Sequence, residues 1–340
     1  MAAATYYVTP AGAGAKDGAA WASAMGEAEF EADLEANAEP GDIYYFLEGT
    51  YTLDSAYDSL LRDGTIVAPI CLIGVKSGTT NEPPVLADWS DANLSGGADD
   101  RPLFACGANQ WVVGDYHKIF NFRFTTTYVN GVGGSVANTV FYNCKVTQSG
   151  ASANRRGFNV GGDAISILCE ATGLVGTGVV ARLFYCGTGT VIFSWGHDGN
   201  EGFYLSAVRG TVLFSGAEDC SVAGLNLYSH CPLALGNTIN DCATGITNVA
   251  SDWMTVVNNL LEGCTTDGIK ATTQQDGAFY WKNHGDDARN LDMWDGVATS
   301  GPHADLTVSS GDPLLDGDGN VSLQVGSPCR NNALQSVLGT

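Results

Sequence analysis

From about position 41 to position 284 the chain alternates short apolar runs with clusters of Gly, Asn, Asp, Ser and Thr. Among the runs are TIVAPICLIGV, QWVVGDY, KIFNFRFT, NTVFYNCKVT, AISILCEAT, VVARLFYC, GTVLFSG and MTVVNNLLEGC. Each suits a strand, and no convincing amphipathic helix separates one from the next. Strands that follow one another without helical crossovers predict a solenoid rather than a doubly wound sheet.

The first 40 residues read differently. A short strand is expected around Tyr6–Thr9, then a Gly/Ala loop, then a helix from Gly26 to Asn37 with Phe30 and Leu34 on its buried edge. Pro40 and Gly41 stop that helix. The run DIYYFLEGTYTL follows and predicts two strands with a sharp corner at Glu48-Gly49.

Cysteine sets the period. Cys220, Cys242 and Cys264 lie 22 residues apart in the similar stretches DCSVAGL, DCATGIT and GCTTDGIK. Aligning Cys144, Cys169 and Cys186 on the same pattern gives spacings of 25, 17 and 34 before the repeat locks at 22. Coils of about 22 residues with loops of variable length describe a parallel β-helix whose inward positions form columns. The fold expected is therefore all-β: a single-stranded parallel β-helix, right-handed by the resemblance given below, with an N-terminal capping helix and an irregular C-terminal tail. Three regions follow, with the strand and capping helix at 1–40, the β-helix at 41–284 and the tail at 285–340.

A column of cysteines needs no chemistry. Stacked strands lie about 4.8 Å apart, whereas disulfide Cβ atoms sit at about 3.5–4.5 Å with a restricted dihedral. A straight ladder cannot wrap ligands around zinc, and no CxxC spacing occurs. Cys144, Cys169, Cys186, Cys220, Cys242 and Cys264 are read as one buried ladder of free thiols. A disulfide elsewhere, involving Cys71, Cys106, Cys231 or Cys329, is the alternative. Reduced thiols favour assembly in a reducing compartment.

Composition narrows the partners. The 340 residues carry a formal charge of −22, which repels phosphate backbones and disfavours nucleic acid. No apolar run approaches the roughly 20 residues of a membrane span. The start MAAATYYVTP has neither a charged n-region nor a long apolar h-region, so no secretory signal is expected.

The segments YYVTPAGAGAKDGAAW and PGDIYYFLEGTYTL resemble the entry of right-handed parallel β-helix proteins of the pectate-lyase-like superfamily. The stretch DPLLDGDGNVSLQVGSPCRNNAL looks like the closing segment of such repeats. The resemblance covers most of the chain and specifies fold better than activity. It implies a place among polysaccharide lyases, glycoside hydrolases, adhesins, or tail spikes and other phage virion proteins. A homo-oligomer, in particular a trimer, is implied by the resemblance alone.

Polygalacturonase-like hydrolases carry Asn-Thr-Asp, Asp-Asp, Gly-His-Gly and Arg-Ile-Lys motifs on successive coils. The chain offers GHD at 196–198 and GIK at 268–270, about three coils apart, without the other two elements. A lyase needs a base beside a uronate carboxylate and a cation to neutralise that acid. Arg155, Arg156 and Lys270 are the candidate bases, with Asp267 beside Lys270. The weak calcium candidates are Asp88, Asp91, Asp99 and Asp100, and otherwise no cofactor is expected. Paired arginines, Asp-Gly corners and a polar loop account for the same residues without chemistry. DGDGN at 316–320 lacks the EF-hand glutamate and reads as a turn. Phe279, Tyr280, Trp281 and Trp294 suit an end cap, a subunit contact or a glycan platform. His117, His230 and His303 have no ligand-spaced neighbours.

The leading expectation is a non-enzymatic structural protein of a phage virion, a capsid decoration or tail-associated β-helix assembled in host cytoplasm. Its partners would be other virion proteins and a host-surface glycan. The alternatives are a secreted or virion-borne lyase or hydrolase acting on acidic polysaccharide, and an adhesin that binds glycans without cleaving them.

Overall fold

The computed structural model describes residues 3–52, 62–90, 99–135, 137–149, 155–173, 182–206, 209–228, 232–249, 254–271, 279–281, 283–285, 292–295, 309–310, 315–316 and 320–323. They form an all-β parallel solenoid, divided by contacts into units Met1–Ala171 and Thr172–Thr340. Among the described residues no helix is long and apolar enough to cross a membrane.

In the first unit, the first sheet stacks Thr5–Val8, Ile43–Leu47, Ile70–Val75, His117–Phe120, Val140–Tyr142 and Ile165–Ile167. The second contains Thr50–Thr52, Leu103–Gly107, Arg123–Thr126, Lys145–Gln148 and Glu170–Gly173; Val132–Ser135 and Arg156–Gly161 form the third. Parallel in-register pairing makes columns of Tyr44, Leu72, Ile119 and Phe141, and of Tyr51, Phe104 and Phe124. These side chains are buried, at about 1.5–3 kcal/mol for each large one. The helix is Glu27–Ala36, inside the flanking Gly26 and Asn37, and the Gly26 N–H donates to Glu29 Oε2 at 3.1 Å. Its Phe30 meets Tyr44 and Phe46 edge-on at 5.4 and 4.7 Å. The helix thus covers the open end of this unit's core. Thr5–Val8 pairs with Ile43–Leu47, so the N-terminal strand is the first rung and not a separate cap.

In the second unit, the first sheet contains Thr190–Ile192, Thr211–Leu213, Leu233–Leu235, Thr255–Val257 and Phe279–Trp281. Trp195–His197, Gly216–Glu218, Thr238–Asn240, Leu260–Glu262, His284–Gly285 and Ser309–Ser310 make the second. Arg182–Cys186, Glu201–Leu205, Ala223–Leu227, Thr244–Asn248, Asp267–Ala271 and Asp292–Asp295 make the third. Strand pairing therefore continues past position 284, where an irregular tail was expected. The segment Phe279–Asp295 supplies a rung to each of the three sheets. Leu315–Asp316 and Asn320–Leu323 pair antiparallel, and positions 317–319 of DGDGN, read as a turn, lie outside the described residues.

The six cysteines expected in one column occupy three places. Cys144 and Cys169 sit at the corner between first and second sheets, each after a left-handed residue, Asn143 or Leu168. Cys220, Cys242 and Cys264 follow Asp219, Asp241 and Gly263 at the corner between second and third sheets, where φ is 49°, 48° and 62°. Cys186 lies within a third-sheet strand in register with Leu205, so it is not a member of either ladder. Its alignment failed because a sequence match on Cys and Gly does not distinguish a corner from a strand. The eight described cysteines are all free thiols.

A second polar ladder fills the first corner of the second unit. Ser194 N–H donates to Ser215 Oγ, Ser215 N–H to Asn237 Oδ1, Asn237 N–H to Asn259 Oδ1, and Asn259 N–H to Asn283 Oδ1. The amides of Asn237, Asn259 and Asn283 also donate to the carbonyls of Val212, Ala234 and Val256. The ladder satisfies the corner N–H groups of Ser194, Ser215, Asn237 and Asn259, and its amides tie that corner to the first-sheet strands.

Candidate functional site on the third sheet

Side chains alternate across a strand, so neighbouring columns of the third sheet face opposite ways. Phe184, Phe203, Leu225, Ile246 and Ile269 form the inward column of the second unit. The adjoining column is Tyr185, Tyr204, Asn226, Thr247 and Lys270. A third column, at strand starts, is Arg182, Glu201, Ala223, Thr244 and Asp267; its Arg182, Glu201 and Asp267 side chains depart from strict alternation and reach Tyr204, Asn226 and Lys270 of the adjoining column.

These columns gather two polar centres. Arg182 Nε donates to Glu201 Oε2 at 3.0 Å, and its guanidinium lies 3.6 Å from the Tyr204 ring centroid. The Asn226 amide donates a short bond to Glu201 Oε1. Glu201 is therefore held at both oxygens with its side chain 5% exposed. The Asn226 Oδ1 is buried and receives no hydrogen bond from the described residues. Tyr185, Tyr204 and Tyr228 continue as a stack, with centroids 5.5 and 5.7 Å apart and Tyr228 exposed. Burial is the main cause that pushes the Tyr204 phenol up to about 12, so it stays protonated as a hydrogen-bond donor. The second centre is the pair Lys270 Nζ to Asp267 Oδ2 at 3.1 Å, with Lys270 the more exposed partner.

The arrangement favours some reactions over others. Glu201 and Asp267 are three rungs apart, about 14 Å at the spacing of parallel strands. Two glycosidase carboxylates work at no more than about 9.5 Å, so this pair cannot serve that role. A cation beside a fixed carboxylate, followed by amide and aromatic side chains, can hold and orient a sugar chain lying across the rungs.

Of the residues singled out in the sequence, the structure brings together Asp267 and Lys270. Arg155 and Arg156 belong to the first unit, where Arg156 opens the strand Arg156–Gly161 and Arg155 is buried. His197 and Asp198 of the GHD stretch pair at 2.7 Å on the second sheet. Asp88 accepts from Val85 N and Asn81 Nδ2 at the end of a short 3-10 turn. Asp99 binds Arg101 at 2.7 Å, and Asp100 offers its carbonyl to Ser90. These aspartates therefore have local structural roles, while Asp91 lies outside the described residues. No group of metal-ligating side chains occurs among the described residues. His117 is buried with Nε2 2.8 Å from the Arg62 carbonyl, and His230 and His303 lie outside the described residues. Phe279, Tyr280 and Trp281 form a first-sheet strand and Trp294 belongs to the third sheet; their side chains are outside the description.

Arg182, Glu201, Tyr204, Asn226 and Tyr228 were not singled out from the sequence. The available signal was the match of RLFYC, EGFYL and AGLNL at one strand position, visible once the coils are aligned on strands rather than on cysteine.

No protein-family model matches this chain, and no curated protein matches it. Solved structures do. Pectate lyase Pel9A superposes with a TM-score of 0.54 at 17% identity, covering 87% of this chain and 80% of that one. The A-module of mannuronan C-5 epimerase AlgE6 from Azotobacter vinelandii gives 0.52 at 14%, covering 80% and 74%. The PL6 family alginate lyase AlyGC gives 0.54 at 11%, covering 83% of this chain but 38% of that one. At these identities the likeness defines a fold, the pectate-lyase-like parallel β-helix. The neighbours are polysaccharide lyases and an epimerase, and they give the virion expectation no support.

Proposed function

We propose that the chain is a polysaccharide lyase that cleaves a uronate-containing glycan by β-elimination on the third-sheet face of its second unit. The observation that carries this reading is the Lys270–Asp267 pair on the same sheet face as Asn226, Tyr204 and the Arg182–Glu201 centre. The names of the similar structures point the same way, since pectate, alginate and mannuronan are all polyuronates.

In this reading Lys270 Nζ first gives a proton to Asp267 Oδ2 and then, as the amine, takes the proton from the carbon next to the uronate carboxylate. The released electron pair forms the ring double bond, and the glycosidic oxygen departs and gains a proton from solvent. Asp267 positions Nζ and restores its proton balance between turnovers. Arg182 offers charge to another uronate along the chain, while Tyr204 and Tyr228 support sugar rings. The burial of Glu201 fixes Arg182 against the tyrosine face at little entropic cost.

A panel of polygalacturonate, alginate and mannuronan incubated with the protein tests the reading. Ultraviolet absorbance from unsaturated product supports it. New reducing ends without that absorbance, or no product from any polyuronate, contradict it.

A further inference from the structure

The outer face of the second sheet in the second unit carries a separate arrangement, independent of the elimination reading. Trp195 and Gly216 are register partners on adjacent strands. A Cβ placed on Gly216 would lie 1.8 Å from Cζ3 and 1.9 Å from Cε3 of the indole. The ring therefore lies over the Gly216 backbone, in space that any side chain would fill. Gly216 does not have a left-handed φ, so its conformation makes no demand for glycine. Room for the indole is the structural reason for glycine there. The resulting ring is half-buried, with one side against the strand.

Two residues along the same strand the polar groups begin. His197, Glu218, Asn240 and Glu262 are successive register partners on this face. Asn240 Nδ2 donates to Glu218 Oε1 at 3.1 Å, and His197 Nδ1 pairs with Asp198 Oδ2 at 2.7 Å. Asp219 and Asp241 follow at the corner, both exposed. A flat indole beside planar carboxylate, amide and imidazole groups fits a pyranose ring, apolar face on the indole and polar substituents on its neighbours. The charge selects among pyranoses. Burial is the largest cause that raises the Glu218 and Asp219 carboxyls, and neighbouring acids raise both further against the opposing pull of His197 and, on Glu218, of Asn240, so the balance at this corner disfavours another anion. A positively charged substituent would relieve that repulsion.

We propose that the face around Trp195 binds a glycan bearing free amino groups, with a glucosamine-type ring on the indole and its ammonium among Asp198, Glu218 and Asp219. The ligand is thus opposite in charge to the substrate of the third-sheet face. Affinity comes from the stacked ring and the ammonium together, so acetylating the amine should weaken binding while keeping the ring.

The test is calorimetric titration of the full chain with a glucosamine hexamer, an N-acetylglucosamine hexamer and a hexagalacturonate. Trp195→Ala and Gly216→Ala are compared with the wild type; the second displaces the indole while leaving it and every polar group in the chain. Circular dichroism checks that both variants remain folded. The expected result is binding of the glucosamine hexamer about 10-fold tighter than its acetylated form, and about 10-fold weaker in either folded variant. Binding that is equal for the two hexamers, unchanged in the variants, or absent in the wild type overturns the proposal.

Discussion

Asn237 and Asn259 are joined twice: the backbone N–H and the side-chain amide of Asn237 both donate to Oδ1 of Asn259, each at 2.9 Å. Asn259 also donates to Ala234 O, so one side chain satisfies groups in three places of a buried corner. Asn259→Ala strands the buried Asn237 N–H and should cost about 2 kcal/mol of stability. Asn259→Ser keeps an acceptor, as Ser215 does at the same corner, and should cost less. Urea denaturation of the two variants checks the order; an alanine variant as stable as the wild type would contradict the ladder's role.

Thiol chemistry should report folding, not exposure of a reactive site. Burial pushes the Cys106 thiol up to about 12 and raises Cys186 and Cys264 as well. The thiolate is the species that alkylates, so the native protein should react slowly at neutral pH. Mass spectrometry after iodoacetamide should find these three cysteines unlabelled until denaturant is added. Rapid labelling of the native chain would show that the columns are open.

The acidic corner predicts a stability that falls as pH rises. Burial and neighbouring acids raise the folded pKa of Asp219 above its unfolded value. Its contribution is then fully present below the unfolded pKa and is lost as pH climbs through the folded one. Asp219→Asn removes that loss and keeps a residue that tolerates the left-handed backbone at φ 49°. Its melting temperature should exceed the wild type's at neutral pH and match it near about pH 3. An equal difference at both pH values would contradict the electrostatic account.

The fold was legible because strand length, turn chemistry and a recurring cysteine agree on one period. The site was less so. Cysteine appears at two different corners and, at Cys71, Cys106 and Cys186, within strands, so aligning on it shifted Cys186 onto the wrong element. That shift hid the match among Tyr185, Tyr204 and Asn226, which depends on strand register and not on a motif. The Asn237–Asn259 spacing of 22 was in plain view, but the same interval in cysteine drew the attention. Lys270 was legible because GIK at 268–270 matches part of a short linear motif, which needs no knowledge of the coil register. Its partner Asp267 was close enough in sequence to be found with it. Glu201 and Arg182 are 19 residues apart and meet only through the stacking of coils.

The elimination rate of Lys270→Ala on a responsive polyuronate is the most direct test of the third-sheet assignment. The account predicts a fall in kcat of about 10²–10⁴-fold with little change in KM and an unaltered melting temperature. Wild-type kcat in that variant would contradict it.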